Sequence, residues 1–451
     1  MFEEIEEVEK KAKNLLEEKK IADLRILLSK LEPADVAILL NNFESNDMII
    51  AFRILSKELA AETFVEMDSD AQETLIHAFS DNELKQVLDE LFLDDTVDII
   101  EEMPANVVKR ILKHTDSKTR KDINEILKYP KDCAGSIMTT EYVDLKQNMT
   151  VQEAIERIRK TGIDKETINT CYVTDRNRKL IGILSIRTLL LAESDKIIKD
   201  IMETNVISVE TMEDKEEVAR DLQKYDFLAL PVVDTESRLV GIVTFDDAMD
   251  VITEENTEDF ELMSAIQPSD ESYFKTSVFK HAKNRIVWLL FLMLSATVTG
   301  AIITNYENAF AAIPILVSFI PMLMGTGGNC GSQSSTMIIR GLALEEIKLK
   351  DIFKVIWKEI RIALIVGIIL SLVNGLRIYF MYEHDIMLAV VVGLTLICTV
   401  ILAKLLGCIL PLLAKSCKLD PAIMAAPLIT TIVDTCSVLI FFNIAMWILN
   451  I

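Results

Sequence analysis

From about residue 20 to 128, apolar residues recur at three- and four-residue spacing, as in Leu24, Leu27, Leu28 and Leu31 and then Val36, Leu39, Leu40 and Phe43. That spacing predicts short amphipathic helices. Acidic and Asn-rich turns at 44–47, 68–70 and 81–82 separate them, so the segment reads as stacked helix pairs with a loose period rather than as a bundle. Between Ser136 and Thr253 the texture changes to alternating strands and helices, in two copies. One copy holds Tyr172-Val-Thr-Asp175 and Leu180-Ile-Gly-Ile-Leu-Ser-Ile186, the other Leu230-Pro-Val-Val-Asp-Thr235 and Leu239-Val-Gly-Ile-Val-Thr-Phe245. Each is preceded by Ile-Met (Ile137-Met138, Ile201-Met202) and by a helix starting near Thr150 or Thr211. Past Asn284 the apolar runs become long enough to cross a bilayer, which takes about 20 residues. Five spans are predicted, near 284–304, 309–328, 355–379, 386–413 and 421–449.

Charge divides the chain in the same place. The formal net charge is −23, yet 284–451 holds 9 acidic and 11 basic residues, leaving −25 for 1–283. An acidic soluble part of that size excludes nucleic acid and favours cations as partners. Lys280, Lys283 and Arg285 precede the first span, Arg340 to Lys358 lie between the second and third, and Lys415 and Lys418 precede the fifth. The connections 305–308 and 381–385 carry no Lys or Arg. By the positive-inside rule the soluble part is cytoplasmic and the C-terminus lies outside a multi-pass cell membrane. The first residues are acidic, with no signal peptide expected. Seven cysteines without a C-x-x-C pair and four scattered histidines read as buried reduced thiols, with no zinc or redox site.

Asp434 is the one charged residue in 421–451. A carboxylate near the middle of a span costs roughly 2.5–3.5 kcal/mol on insertion scales. That cost suggests that it faces water, a partner or an ion; hydrogen bonding for packing alone, through Thr430, Thr431 and Thr435, is the alternative. Pro427 is expected to loosen the helix beside it. Pro314 and Pro321 interrupt the second span, which runs into Gly325-Thr-Gly-Gly-Asn-Cys-Gly-Ser-Gln-Ser-Ser-Thr336. Its glycines predict non-helical backbone lining a cavity, or a flexible turn. In the first case its carbonyls, with Asn329 and Gln333, are hard oxygen donors suited to hydrated Mg²⁺ or Ca²⁺; Gly325, Gly328 and Thr430 join them as candidate pore-lining positions.

Two acidic features remain. Asp94 and Asp98 stand one turn apart, with Asp95 beside them. Between Leu239 and Phe274 there are ten carboxylates and no Lys or Arg. Of these, Asp247, Asp250, Glu254, Glu258 and Glu261 follow helical spacing along one face, flanked by Asp246, Glu255 and Asp259. Like charges so spaced each cost about 0.2–0.5 kcal/mol. Cations between this helix and another acidic surface would draw the parts together, and their loss would let repulsion part them. The sequence holds no P-loop and no phosphorylatable Asp motif, which argues against a pump.

The doubled strand–helix pattern is similar to a tandem cystathionine-β-synthase (CBS) pair, a module that often senses adenosyl nucleotides. That family's Gly-x-x-Thr-x-x-Asp run is intact in the second copy (Gly241, Thr244, Asp247); the first has Gly182 and Ser185 but Thr188 in place of the Asp. End to end, the chain resembles the MgtE-type magnesium channel/transporter family. The strings that carry this are Leu93-Asp-Asp-Thr-Val-Asp98, Tyr129-Pro-Lys-Asp-Cys-Ala-Gly-Ser-Ile-Met138, Gly325-Thr-Gly-Gly-Asn-x-Gly-x-Gln333 and Pro427-Leu-x-x-Thr-x-x-Asp434.

The resemblance implies a multi-domain protein: an all-α repeat-like N domain (1–131), two CBS units (136–199, 200–253), an acidic connecting helix (246–275) and an all-α membrane domain of five spans (283–451). It further implies a homodimer in the lipid bilayer, with Asp434 of both subunits holding hydrated Mg²⁺, and no enzymatic activity. Regulatory Mg²⁺ is implied at Glu62, Asp94, Asp98, Glu216, Asp226, Asp247, Asp250, Glu255, Glu258, Asp259 and Asp420. Gly241 and Thr244 are the nucleotide positions; ATP is the ligand implied there, and Thr188 counts against it in the first copy. The expected function is Mg²⁺ uptake shut by cytosolic Mg²⁺. A path for another divalent ion such as Co²⁺, or a Na⁺-coupled exchanger, stays open.

Overall fold

The computed structural model describes residues 2–269, 273, 276–306, 313–382, 385–424 and 426–449. The chain forms two compact units, Met1–Thr253 and Glu254–Ile451.

In the first unit, after an opening helix Phe2–Glu17, helices begin at residues 21, 33, 45, 57, 69, 81, 93, 105 and 117. Each start falls twelve residues after the last, so the period is strict rather than loose. A helix of eight to ten residues and a short turn make up each step. One column of the repeat is Leu28, Leu40, Phe52, Phe64, Ile76, Leu88 and Ile100, every member buried. Because the same position of each helix points inward, one continuous core forms by stacking neighbours. Phe52, Phe64 and Phe79 meet within it, with ring centroids 5.5–6.3 Å apart.

The two CBS copies fold into matching three-stranded sheets. Thr170–Thr174 is central in the first, parallel to Val143–Lys146 and antiparallel to Leu180–Ser185. Ala229–Val233 takes that place in the second, between Val209–Glu210 and Leu239–Thr244. The chain is exchanged between copies. Thr139 forms a bridge to Ile242 of the second sheet, and Glu203 forms one to Ile183 of the first. The Ile-Met strings lie just ahead of these crossings. A Cβ on Gly182 would stand 2.7 Å from Met202 Sδ, and one on Gly241 would stand 2.7 Å from Met138 Sδ. Both glycines therefore make room for the crossing strand. The Val151–Thr161 helix is capped by Thr150 as expected; its counterpart starts at Lys215, capped by Asp214 rather than near Thr211.

The acidic helix runs from Phe245 to Met263, shorter than the expected 246–275. Ala265 adopts φ 54°, and Ile266 N–H donates to Glu261 O at 2.9 Å. A left-handed residue with this backward hydrogen bond terminates a helix, and Pro268 follows where helix cannot resume. Asp270 and Glu271 lie outside the described residues.

The second unit is a bundle of Val278–Asn305, Ile320–Ala343, Ile352–Met381, Ile386–Ser416 and Ala426–Leu449. Among the described residues, four helical stretches are long and apolar enough to cross a membrane: Val278–Asn305, Leu349–Met381, Ile386–Ser416 and Pro421–Leu449. The expected second span at 309–328 is displaced. Pro314–Phe319 is a 3₁₀ turn, the helix starts at Ile320 with Pro321 in its first turn, and 309–312 lie outside the described residues. Residues 325–336, expected to be irregular, are continuous helix. Two of their glycines serve packing: a Cβ on Gly327 would meet Val433 at 2.7 Å and one on Gly331 would meet Ile429 at 2.6 Å. Small residues let helix backbones approach closely in apolar surroundings. Pro427 likewise falls in a first helical turn, where it costs little. Of the cysteines, 133, 171, 330 and 408 are buried and Cys417 is exposed, against the expectation of uniform burial.

Candidate functional site

The Leu93–Glu102 helix brings the first acidic cluster together. Its first N–H, on Leu93, donates to Glu141 Oε2 of the first CBS copy at 3.2 Å, so a carboxylate caps the positive end of the helix. Asp94 beside it is 7% exposed. Its carboxyl is pushed well above the usual range by burial, then by Asp247, Glu166 and Asp95. Asp95 is raised to about 7 by burial and by Asp247 and Asp246. Glu166 is raised to about 8 by burial and by Asp95, Asp246, Asp247 and Glu141; its Oε2 is buried without a hydrogen-bond partner. Asp247 is raised to about 6, chiefly by burial, although the Thr244 hydroxyl donates to its Oδ2 at 2.5 Å and opposes the rise. The first copy reproduces that contact with Ser185 and Thr188 oxygens 2.9 Å apart.

Of the expected metal residues, Asp94 and Asp247 thus converge. Glu141 and Glu166 complete their surroundings without any periodic signal in the sequence, and Asp95 and Asp246 were visible only as flanking acids. Asp98 and Glu62 are exposed on their own helices. Glu216 carries an ion pair with Arg220, and Asp226 is an exposed left-handed residue ending the Lys215–Tyr225 helix. On the Phe245–Met263 helix, Asp250 and Glu258 are exposed, and Glu255 and Asp259 half-buried. Asp420 accepts from Ala422 N–H at 2.7 Å. Among the described residues, no three His, Cys, Asp or Glu side chains converge closely enough to chelate an ion directly. Buried carboxylates crowded by other carboxylates nevertheless fit a hydrated divalent ion, which keeps its waters and is bound through them.

In the second unit Asp434 is half-buried and faces a cavity of about 300 Å³ lined also by Ala296, Thr299, Gly300, Ile303, Met324 and Thr431. The neighbouring threonine hydroxyls bond backbone carbonyls of their own helix rather than the Asp434 carboxylate. Thr430 and Thr431 hydroxyls donate to Pro427 O, each at 2.9 Å. Thr435 donates to Thr431 O at 3.0 Å and shares a 2.7 Å contact with Thr299 Oγ1. The Ile320–Ala343 helix presents Gly325, Asn329, Gln333 and Thr336 on one exposed face; a Cβ on Gly325 would meet nothing within 4 Å. Gly328 is instead buried against Thr430. Because the backbone here is helical, its carbonyls are spent on the helix, and the side chains of Asn329, Gln333 and Thr336 remain on this face as oxygen donors.

Residues 320–444 match the family described as MgtE, divalent cation transporter. Residues 31–132 match the MgtE intracellular N domain, and 134–195 and 198–254 the CBS domain. A helical N domain, a CBS pair and a bundle of apolar helices around an embedded carboxylate define a membrane transporter. The chain belongs to the MgtE family. It is 35% identical over 431 residues to the magnesium transporter MgtE of Thermus thermophilus, covering 95% of each chain. Identity to magnesium transporter MgtE of Bacillus subtilis is 33%, covering 96% of this chain and 95% of that one. A crystal structure of the cytosolic domain of the Mg²⁺ channel MgtE in complex with ATP aligns at TM-score 0.51 and 36% identity, over 53% of this chain and 98% of that one. The soluble part of a magnesium transporter aligns at TM-score 0.51 and 30% identity, over 56% of this chain and 99% of that one.

Proposed function

We propose that this protein is a Mg²⁺ channel for uptake, without enzymatic activity, closed when cytosolic Mg²⁺ is plentiful. The observation that carries the reading is Asp434, a carboxylate set in an otherwise uncharged helix and facing a cavity. Mg²⁺ dehydrates reluctantly, so carboxylates acting through water are a sufficient site. A membrane potential negative inside favours entry by about 2.3 kcal/mol per charge per 100 mV, doubled for a divalent ion; no ATP hydrolysis is required.

The exposed face of Gly325, Asn329 and Gln333 supports a homodimer in which two such faces line the path and Asp434 of each subunit approaches the axis. We propose five crossings, counting the Ile320–Ala343 helix as the fifth, with the N-terminal unit in the cytoplasm and the C-terminus outside. The division into N domain (1–131), CBS units (136–199, 200–253) and membrane domain (283–451) is retained.

Closure works through charge. A bound Mg²⁺ supplies positive charge between carboxylates that otherwise repel. Asp94, Asp98, Glu62 and Asp247 would hold ions in the first unit, as would Glu216 and Asp226, while Asp250, Glu255, Glu258, Asp259 and Asp420 would do so near the connecting helix. Without ions, repulsion among Asp94, Asp95, Glu166, Asp246 and Asp247 loosens the N domain from the CBS pair. ATP at the second CBS copy is supported by Thr244 and Asp247 being held together, whereas the face of Gly241 is filled by Met138.

Asp434→Ala is expected to abolish Mg²⁺ flux into liposomes while the protein remains folded. Undiminished flux would reject the assignment. Competition by Co²⁺, and the effect of a Na⁺ gradient, separate a Mg²⁺ channel from a carrier for another divalent ion or an exchanger.

A further inference from the structure

A charged cluster lies buried among three helices of the second unit, away from the cavity of Asp434. Ser334 of Ile320–Ala343 donates its hydroxyl to Glu359 Oε2 of Ile352–Met381 at 2.6 Å. Lys404 Nζ of Ile386–Ser416 donates to Ser334 Oγ at 3.1 Å and stands 3.8 Å from Glu359 Oε2. Ser334 is 2% exposed, Lys404 5% and Glu359 8%. Desolvating such a pair offsets much of its attraction, so net stability does not explain it, whereas fixing a register is a well-attested use of buried polar groups.

Register is set on two sides of this helix. Toward Ala426–Leu449 the Ile320–Ala343 helix packs through glycines, and a slip of one turn in one direction would put Ser335 where Gly331 sits, although a Cβ there would stand 2.6 Å from Ile429. Toward Ile352–Met381 and Ile386–Ser416 the polar cluster resists the same slip, which replaces Ser334 by Ile338 and leaves a buried carboxylate and a buried ammonium without their bridging hydroxyl. Losing a partner from a buried charged group is far more costly than losing apolar contact. Register in turn sets the ion path. Met324 of this helix lines the Asp434 cavity, Gly328 seats against Thr430, and Gly327 against Val433.

We propose that Ser334, Glu359 and Lys404 are positioning residues that lock the register of the Ile320–Ala343 helix and so hold the Asp434 cavity in its conducting geometry. The lock rests on the contacts among the three helices, while its consequence for Mg²⁺ flux rests on the channel reading above.

The test labels Met337 and Leu413, both exposed, with nitroxides in full-length protein whose native cysteines are replaced, diluted with unlabelled protein. A one-turn slip moves the helix about 6 Å, four residues at 1.5 Å each. Wild type should give one distance. Ser334→Ala and Glu359→Gln should add or substitute a population displaced by about that amount, with maximal Mg²⁺ flux reduced about tenfold. The reversed pair Glu359→Lys with Lys404→Glu should restore both readouts. A single wild-type distance in Ser334→Ala and Glu359→Gln would overturn the lock. Lost flux at a wild-type distance would overturn the positioning role and assign a direct ion contact instead. If Glu359→Gln does not fold, Ser334→Ala, which removes one hydroxyl, decides alone. The distances need no transport, so failure of the channel reading would be seen separately in Asp434→Ala.

Discussion

Asp94, Asp95, Glu166 and Asp247 share one electrostatic predicament: burial and each other's charge raise all four carboxyls. Each folded pKa lies above its unfolded value, so the native state binds more protons than the unfolded chain between roughly pH 4 and 8. Without metal, stability contributed by these groups is therefore greatest at the acid end of that window and is lost as pH rises through the values of about 6 to 8. The shifts at Asp95, Glu166 and Asp247 are each worth on the order of a few kcal/mol. In full-length protein freed of Mg²⁺, amide exchange in 93–102 is expected to speed up from pH 6 to 8 beyond its intrinsic base catalysis, and millimolar Mg²⁺ should suppress the excess. Equal protection at both pH values would remove the argument. The sequence pointed to Asp94 and Asp247 but not to Glu141 or Glu166. These two sit in the irregular stretches flanking CBS elements, and only the seating of the Leu93–Glu102 helix brings them near.

Helices were legible where one periodicity dominated and misread where glycine had two meanings. The column Leu28, Leu40, Phe52, Phe64, Ile76, Leu88 and Ile100 is visible in the sequence at intervals of twelve, yet three- and four-residue spacing within each helix masks it. In 325–336 the glycines suggested a loop, because glycine disfavours helix in water; between apolar helices the same residues permit close approach, and helix wins. Gly331→Ala is expected to destabilise the second unit by about 1–3 kcal/mol through overpacking against Ile429, whereas Gly325→Ala should be neutral or slightly stabilising. Thermal unfolding of the two variants in detergent compares them directly. Equal melting temperatures would mean that the buried face is not tightly packed.

At the scale of the whole molecule, the break in charge near residue 284 and the doubled strand pattern announced the architecture in advance, since both arise from solvent and layer rather than from detail. Exchange of strands between the CBS copies was not legible, because Ile-Met names a position and not the sheet it joins. The Phe245–Met263 helix includes residues of both compact units. Neutralising Asp247, Asp250 and Glu255 together should leave conduction intact and weaken closure. Mg²⁺ flux through single channels or liposomes, recorded against cytosolic-side Mg²⁺ for wild type and this triple variant, measures that effect. Wild type should close as cytosolic Mg²⁺ rises, with the triple variant closing only at concentrations at least about tenfold higher. Superimposable closing curves would contradict control of the path by these carboxylates.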